Sequence, residues 1–171
     1  STLSFVHGSS SVILDNTYPI YKFEFINCHP ANNNVFFEFN MSVDSGSNYN
    51  VTKTTTFFQA ELSEAGGGAQ ISYDGDDDLA ESGDFQHISD AVGNDNDANT
   101  NGYLTIFNPS STTFVKHFIA QGSGMYASSY IIPAYSAGYG NTTSAVNAIR
   151  FQFNSGAIAS GKIKLYGIKD S

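Results

Sequence analysis

Charged residues are scarce in this sequence, and the shortage of basic ones argues against two classes of partner. Charged side chains make up 13% of the 171 residues, about half the share of an ordinary globular protein. Seven Lys plus Arg stand against 16 Asp plus Glu, which gives a formal net charge of −9. Binding to nucleic acid needs a basic stripe, and an anionic membrane surface repels an acidic protein. We therefore expect no nucleic-acid or membrane partner.

Cysteine and long apolar runs are also nearly absent. The single cysteine, Cys28, excludes an intramolecular disulfide, so the hydrophobic core must hold the domain without covalent help. No apolar run approaches the roughly 20 residues that a membrane helix needs. The first residues lack the charged start and apolar stretch of a signal peptide, which leads us to expect synthesis in a cytoplasm.

Aromatic residues are abundant and follow the period of a β-strand. The chain has 14 Phe and 10 Tyr but no Trp. Tyr21, Phe23 and Phe25 alternate with Lys22 and Glu24, which places the rings on one face of a strand. The same period of two recurs later in the chain, in the runs 37–41, 103–107, 149–153 and 163–168. These runs predict an all-β fold.

Clusters of Gly, Asn, Ser and Pro divide these runs into eight or nine predicted strands. One of these clusters, the Gly-Ser-Gly segment at 122–124, is interpreted as a turn. The predicted strands lie near 21–28, 35–43, 54–62, 86–92, 103–108, 113–121, 130–137, 147–154 and 162–168. Short strands at this spacing indicate a two-sheet antiparallel β-sandwich, and eight strands in two sheets predict a jelly roll. An immunoglobulin-type sandwich is the alternative, although the Trp and the cysteine pair of antibody domains are missing.

The chain divides into a short N-terminal segment and one domain. Residues 1–18 carry few charges, and we expect either an arm that adds a strand to a neighbour's sheet or a frayed terminus. Residues 19–171 form the single sandwich domain. A long acidic excursion near 64–102 interrupts the regular spacing of the predicted strands. A short helix or an edge strand is expected within it, around 85–92.

Two acidic segments are candidate calcium sites. Asp97, Asn99 and Asn101, followed by Gly102, match the first half of an EF-hand loop, where alternate oxygen ligands precede a sharp turn. The match fails at Asn108, the twelfth position, where a bidentate Glu is required. A polar turn that leads into a strand explains the same residues.

The second acidic segment is richer in carboxylates. Asp74, Asp76 and Asp78 lie within five residues together with Asp77, and their mutual repulsion would fall if a cation sat among them. An exposed acidic loop screened by salt explains the same cluster. Calcium is therefore a possible cofactor, and no other is indicated.

No catalytic residue is identified. The sequence has no Gly-X-Ser-X-Gly elbow, no zinc spacing among its four His, and no Gly-rich loop that leads into a helix. Glu24, Glu38 and Glu61 are the carboxylates that a glycosidase would need, but alternation places them on a solvated sheet face. The expectation is a protein that is not an enzyme.

Four tyrosines form a candidate binding surface. Tyr126, Tyr130, Tyr135 and Tyr139 lie in one Gly/Ser-rich segment. Tyrosine gives a large rigid contact area at low entropy cost, and its ring also stacks on sugars. Either these rings fill the core near 130–135, or they contact a protein or a glycan.

Several segments resemble bacteriophage structural proteins of a kind frequent in marine phages. The resemblance rests on Arg150-Phe151-Gln152-Phe153 and the chain that follows to Ile168, on Tyr21-Lys22-Phe23-Glu24-Phe25-Ile26-Asn27, on Thr56-Phe57-Phe58-Gln59-Ala60 and on Asn108-Pro109-Ser110-Ser111-Thr112-Thr113. It covers most of the chain from about Tyr21, and its motifs are strand and turn patterns without catalytic residues.

The resemblance implies a virion surface protein: a capsid decoration (cement) protein or a head or tail fibre module. Such a protein is made in the host cytoplasm, contacts capsid or tail proteins, and assembles as an oligomer, with a trimer at a symmetry axis as one expectation. The alternative is a calcium-dependent, lectin-like module that binds host glycans. It draws on the Asp/Asn loops and the tyrosines.

Overall fold

Eleven β-strands and no helix make up the part of the chain that the structure describes. The structure is a computed structural model that describes residues 1–126 and 129–170. The last residue of the predicted domain, Ser171, lies outside the described residues. The strands are β1 Leu3–Val6, β2 Ile20–Pro30, β3 Val35–Ser42, β4 Lys53–Ser63, β5 Gln70–Tyr73, β6 Gln86–Val92, β7 Thr100–Phe107, β8 Lys116–Tyr126, β9 Tyr130–Gly140, β10 Ala148–Phe153 and β11 Ile158–Ile168.

The strands form two sheets that pack face to face. The small sheet has the order β1-β10-β3-β6, and the large sheet has the order β11-β2-β7-β8-β9-β4-β5. Every pairing within the two sheets is antiparallel. The predicted two-sheet antiparallel β-sandwich is therefore confirmed.

All nine predicted strands are found, and two short strands are added to them. The additional strands β1 and β5 have four residues each and are mostly exposed. A four-residue strand with little burial has almost no alternating pattern, so the sequence carried no signal for either. Both occupy sheet edges, where short strands are common.

Phe151 on β10 joins the two sheets through aromatic packing. Its ring centroid lies 5.1 Å from that of Phe25 and 5.2 Å from that of Phe23, both on the large sheet. On its own sheet it lies 6.1 Å from Phe37 and 6.4 Å from Phe39. All five rings are buried, as the period of two in their strands predicts.

The cluster 122–124 is part of a strand, and its interpretation as a turn is wrong. It lies inside β8, where Gly122 pairs with Gly102 on one side and with Ala134 on the other. A Cβ at Gly122 would collide with the carbonyl oxygen of Ile88 on β6. Glycine is needed here because the backbones of the two sheets approach closely, which is the exceptional use of glycine in a strand.

The N-terminal segment and the acidic excursion both contribute strands to the sandwich. Within 1–18, β1 pairs with β10 of the same chain. Within 64–102, β5 pairs with β4 and β6 pairs with β3. The region around 85–92 is thus an edge strand rather than a helix.

Truncation of Phe151 to alanine is expected to lower the free energy of unfolding by about 3–5 kcal/mol, because the ring contacts both sheets. Urea-induced unfolding measures this loss. The control is Phe114→Ala, since Phe114 is 70% exposed, and its effect is expected to stay within about 0.5 kcal/mol. Equal losses in the two variants would contradict the central position of Phe151.

Candidate functional site

On strands β4, β5, β8 and β9, the side of the large sheet that faces away from the small sheet is uncharged and rich in apolar side chains. The same side carries charged residues only farther across, where Lys22 and Glu24 lie on β2 and Lys164 lies on β11. We define the outer face as the alternate residues, counted from the first of each range, of 54–62 on β4, 117–125 on β8 and 131–139 on β9. Ile71 and Tyr73 on β5 also belong to it. No Asp, Glu, Lys or Arg occurs among the residues of this face. Seven of them are large hydrophobic residues that remain exposed: Phe58, Leu62, Ile71, Tyr73, Ile119, Ile131 and Tyr135. A contiguous exposed apolar patch marks an interaction site in a soluble protein.

Aromatic rings form a flat row across the middle of the outer face. Tyr135 on β9 stacks on Phe58 of β4, with the ring centroids 5.1 Å apart and the planes 10° from parallel. Tyr73 on β5 pairs with Phe58 in the strand register. The amide Nε2 of Gln121 donates a hydrogen bond to the Tyr135 hydroxyl at 3.2 Å. Such a row can contact a protein or stack on a sugar.

The four predicted binding tyrosines lie at three separate places. Tyr135 is in the centre of the outer face, and Tyr139 lies at one end of it beside His117, with ring centroids 5.7 Å apart. Tyr126 and Tyr130 lie at the opposite end of β8 and β9. None of the four is in the buried core, so the alternative in which they fill the core is wrong, and binding by these rings stays a prediction.

Tyr126 and Tyr130 line a cleft at that opposite end. Their rings meet edge to face, with centroids 6.2 Å apart. The cleft has a volume of about 470 Å³, and the carboxylates of Glu61 and Asp90 also line it. Nothing in the sequence joined these four residues, because Glu61 and Asp90 come from strands distant in the chain.

The predicted calcium loop at 97–101 uses its amide oxygens internally. The Asn99 side-chain oxygen accepts a hydrogen bond from Nδ2 of Asn101 at 2.5 Å. The Asn101 side-chain oxygen accepts one from the backbone N–H of Asn27 at 2.8 Å. Asp97 is exposed in a turn. This geometry matches a hydrogen-bonded polar turn that leads into β7.

The carboxylates of the Asp74–Asp78 cluster point in different directions. Asp74 accepts a hydrogen bond from the backbone N–H of Asp76 at 3.0 Å, and Asp78 accepts one from the Tyr73 hydroxyl. Asp77 turns inward and is buried. Among the described residues, no group of three or more His, Cys, Asp or Glu side chains is placed to hold a metal ion.

A partly buried histidine between two carboxylates is the main polar feature that the sequence did not reveal. His87 Nδ1 donates to the Asp77 carboxylate at 2.6 Å, and Nε2 lies 3.4 Å from the Glu38 carboxylate. The Phe36 ring stacks on the imidazole, with centroids 4.4 Å apart. Gln152 donates to the other Glu38 oxygen at 2.7 Å. The prediction that Glu38 lies on a solvated face is wrong, since it is 6% exposed.

This arrangement fixes the charge of His87. Burial lowers its pKa, but the hydrogen bonds and negative charges of Asp77 and Glu38 outweigh that effect and raise the pKa to about 9. The imidazolium therefore bridges β3, β6 and the acidic loop at neutral pH. Its two carboxylate contacts leave no nitrogen free to act as a base.

Cys28 is a buried packing residue, as expected from its position in a strand. Its side chain is fully buried, and burial raises the pKa of the thiol to about 11. A thiol in that state is a poor nucleophile and a poor metal ligand.

Comparison with known proteins finds no matching family model, no matching curated protein and no matching solved structure. In the part of the chain that the structure describes, no helix is long and apolar enough to cross a membrane.

The contribution of His87 to stability is expected to decrease as the pH rises. Because its pKa is raised from 6.5 to about 9 in the folded state, the stabilisation is complete below pH 6.5 and is lost as the pH rises through 9. At 1.36 kcal/mol per pH unit, that change corresponds to at most about 3 kcal/mol. The measurement is urea-induced unfolding of the wild type and of His87→Gln between pH 6 and 9.5.

The difference between the two proteins is the quantity that tests this prediction. Burial lowers the pKa of Lys53 to about 7, so that residue also makes stability depend on pH, but equally in both proteins. The difference should be largest at pH 6 and should shrink by pH 9.5. A difference that is constant over this range would mean that the imidazolium does not stabilise the fold.

Proposed function

We propose that the chain is a non-enzymatic structural protein on the surface of a phage particle, acting as a capsid decoration protein or a fibre module. The resemblance of its strand and turn segments to phage structural proteins supports the proposal. So does the uncharged outer face, whose apolar side chains remain exposed. The partners in this proposal are other virion proteins and further copies of the chain.

The single observation that carries the proposal is the uncharged outer face on strands β4, β5, β8 and β9 of the large sheet. Two copies with a net charge of −9 repel one another unless they meet where neither carries charge. The outer face provides such a surface, with exposed side chains such as Ile71 and Ile119 at 81% and 48% exposure. Interfaces between permanent partners are apolar at their centre and poor in charged residues.

We propose in addition that the sandwich is a variant of the jelly roll. In a jelly roll the first of eight strands pairs with the last, the second with the seventh, the third with the sixth and the fourth with the fifth. Here β1 pairs with β10, β2 with β7, β3 with β6 and β4 with β5. The hairpin β8–β9 is inserted between β7 and β4, and β11 extends the sheet next to β2. Decoration proteins and lectins both use this architecture.

The aromatic row favours a second function, the binding of host glycans. Tyr73, Phe58 and Tyr135 form a flat apolar strip with a hydroxyl and an amide beside it, and such strips stack on sugar rings. A fibre module that binds glycans would combine the two functions. Calcium dependence belongs to this alternative, through the two acidic loops.

Assembly through the outer face is expected to be abolished by Tyr135→Lys, because the substitution places a charge in the middle of an apolar contact. Light scattering measures the mass in solution, where the wild type is expected to form an oligomer, with a trimer as the first expectation. The control is Phe114→Lys, which adds the same charge at an exposed residue outside the face. A wild type that stays monomeric, or two variants that dissociate alike, would count against the proposal.

Glycan binding is tested with a glycan array read in calcium and again in EDTA. A structural role alone predicts no bound sugar in either condition. The lectin-like alternative predicts binding that EDTA abolishes and that Tyr135→Ala reduces. Binding that survives EDTA but requires Tyr135 would keep the aromatic row as a sugar site and remove calcium from it.

A further inference from the structure

The cleft at the β8–β9 end of the sandwich combines two aromatic rings with two carboxylates. Tyr126 and Tyr130 meet edge to face on one side, and Glu61 and Asp90 are among the other residues that line a space of about 470 Å³. Glu61 comes from β4 and Asp90 from β6, so the cleft lies where the two sheets meet. The fold thus brings together four side chains from different parts of the sequence.

No positive charge balances the two carboxylates. The ion pairs among the described residues are Lys22 with Glu24 and His87 with Asp77 and Glu38, and none of them reaches this cleft. Burial raises the pKa of Asp90, and the negative charges of Asp77 and Asp74 raise it further. The cleft is therefore a region of negative potential with no cation of its own among these residues.

A buried amide holds the two carboxylates of the cleft side by side. Gln59 is 4% exposed, and its Nε2 donates to the Glu61 carboxylate at 3.3 Å. A hydrogen bond from the same amide lowers the pKa of Asp90. Gln59 is not among the residues that line the cleft, so its amide positions both carboxylates from the interior and leaves their other oxygens to face the cleft.

We propose that this cleft binds an organic cation, namely a guanidinium or a primary ammonium group. The cleft is lined by two carboxylates, two tyrosine rings, the Asn34 amide and the apolar side chains of Ala91 and Ile132. Guanidinium and ammonium carry several N–H donors and no acceptor, and both interact favourably with the face of a tyrosine ring. This inference does not rest on the assembly through the outer face.

Other ligands match the cleft less well. A neutral sugar presents hydroxyl groups that accept as well as donate, and the carboxylates can only accept. A calcium ion takes six to eight oxygen ligands, whereas two tyrosine rings form one side of this space. The charge and the donors of an organic cation meet both the carboxylates and the rings.

The test is a titration of the full chain with N-acetyl-arginine amide, followed through the ring resonances of Tyr126 and Tyr130 by NMR. The matched ligand is N-acetyl-citrulline amide, which has nearly the same shape but no charge. Saturable shifts with the arginine compound and none with citrulline are expected. No saturable shift with arginine, or equal shifts with both compounds, would overturn the proposal.

Two substitutions test the carboxylates. Glu61→Gln and Asp90→Asn keep the shape of the cleft, and each is expected to weaken arginine binding at least about tenfold, since a charge-assisted hydrogen bond is lost. The control is Glu64→Gln, which removes the same charge from an exposed residue outside the cleft and should leave the affinity unchanged. Equal weakening in all three would show a general charge effect and would overturn the site.

The source of the cation is settled by comparing two further probes, ethylguanidinium and the tripeptide Gly-Arg-Gly with blocked ends. Equal affinities mean that the cleft recognises the cationic group alone, as for a free small molecule. Tighter binding of the tripeptide means that the cleft recognises an arginine in a protein partner. Either result supports the proposal, and failure of both probes to bind would overturn it.

Discussion

The packing of the two sheets around Phe151 is the constraint on which the other features depend. Its ring contacts aromatic residues of both sheets, so neither sheet can shift in register without losing these contacts. The same packing brings the backbone of β8 so close to Ile88 on β6 that only glycine fits at residue 122. With no disulfide available, these apolar contacts have to hold the sandwich together.

A fixed sandwich also decides which side chains remain at the surface. In the large sheet the residues that face the small sheet are buried, and the alternate residues face away from it. In most antiparallel sheets such a face is polar, and on β2 and β11 it carries Lys22, Glu24 and Lys164, but on β4, β5, β8 and β9 it is uncharged and aromatic. The other acidic residues lie in the loops, in the pair held by His87 and in the cleft beside Tyr126. The surface therefore has two distinct regions, an apolar face and a negative cleft.

The sequence predicts the fold much better than it predicts the sites. Alternation places Tyr21 and Phe23 in the core, because a period of two depends only on neighbouring residues. The His87 contacts join residues 10 and 49 positions apart, and the cleft joins Glu61 to Tyr130, 69 positions apart, which no local pattern encodes. For the four tyrosines the sequence leaves core and surface open, and both their exposure and their separation into three places follow from the arrangement of β8 and β9 in the sheet.

Hydroxyl-radical footprinting at increasing protein concentration tests the central claim, that the outer face is the surface by which copies meet. Mass spectrometry would compare the oxidation of Tyr73, Tyr135 and Ile119 with that of the exposed Phe114. The account predicts that the first three become protected as the concentration rises and that Phe114 does not. An outer face that stays reactive at every concentration, while another surface becomes protected, would contradict it.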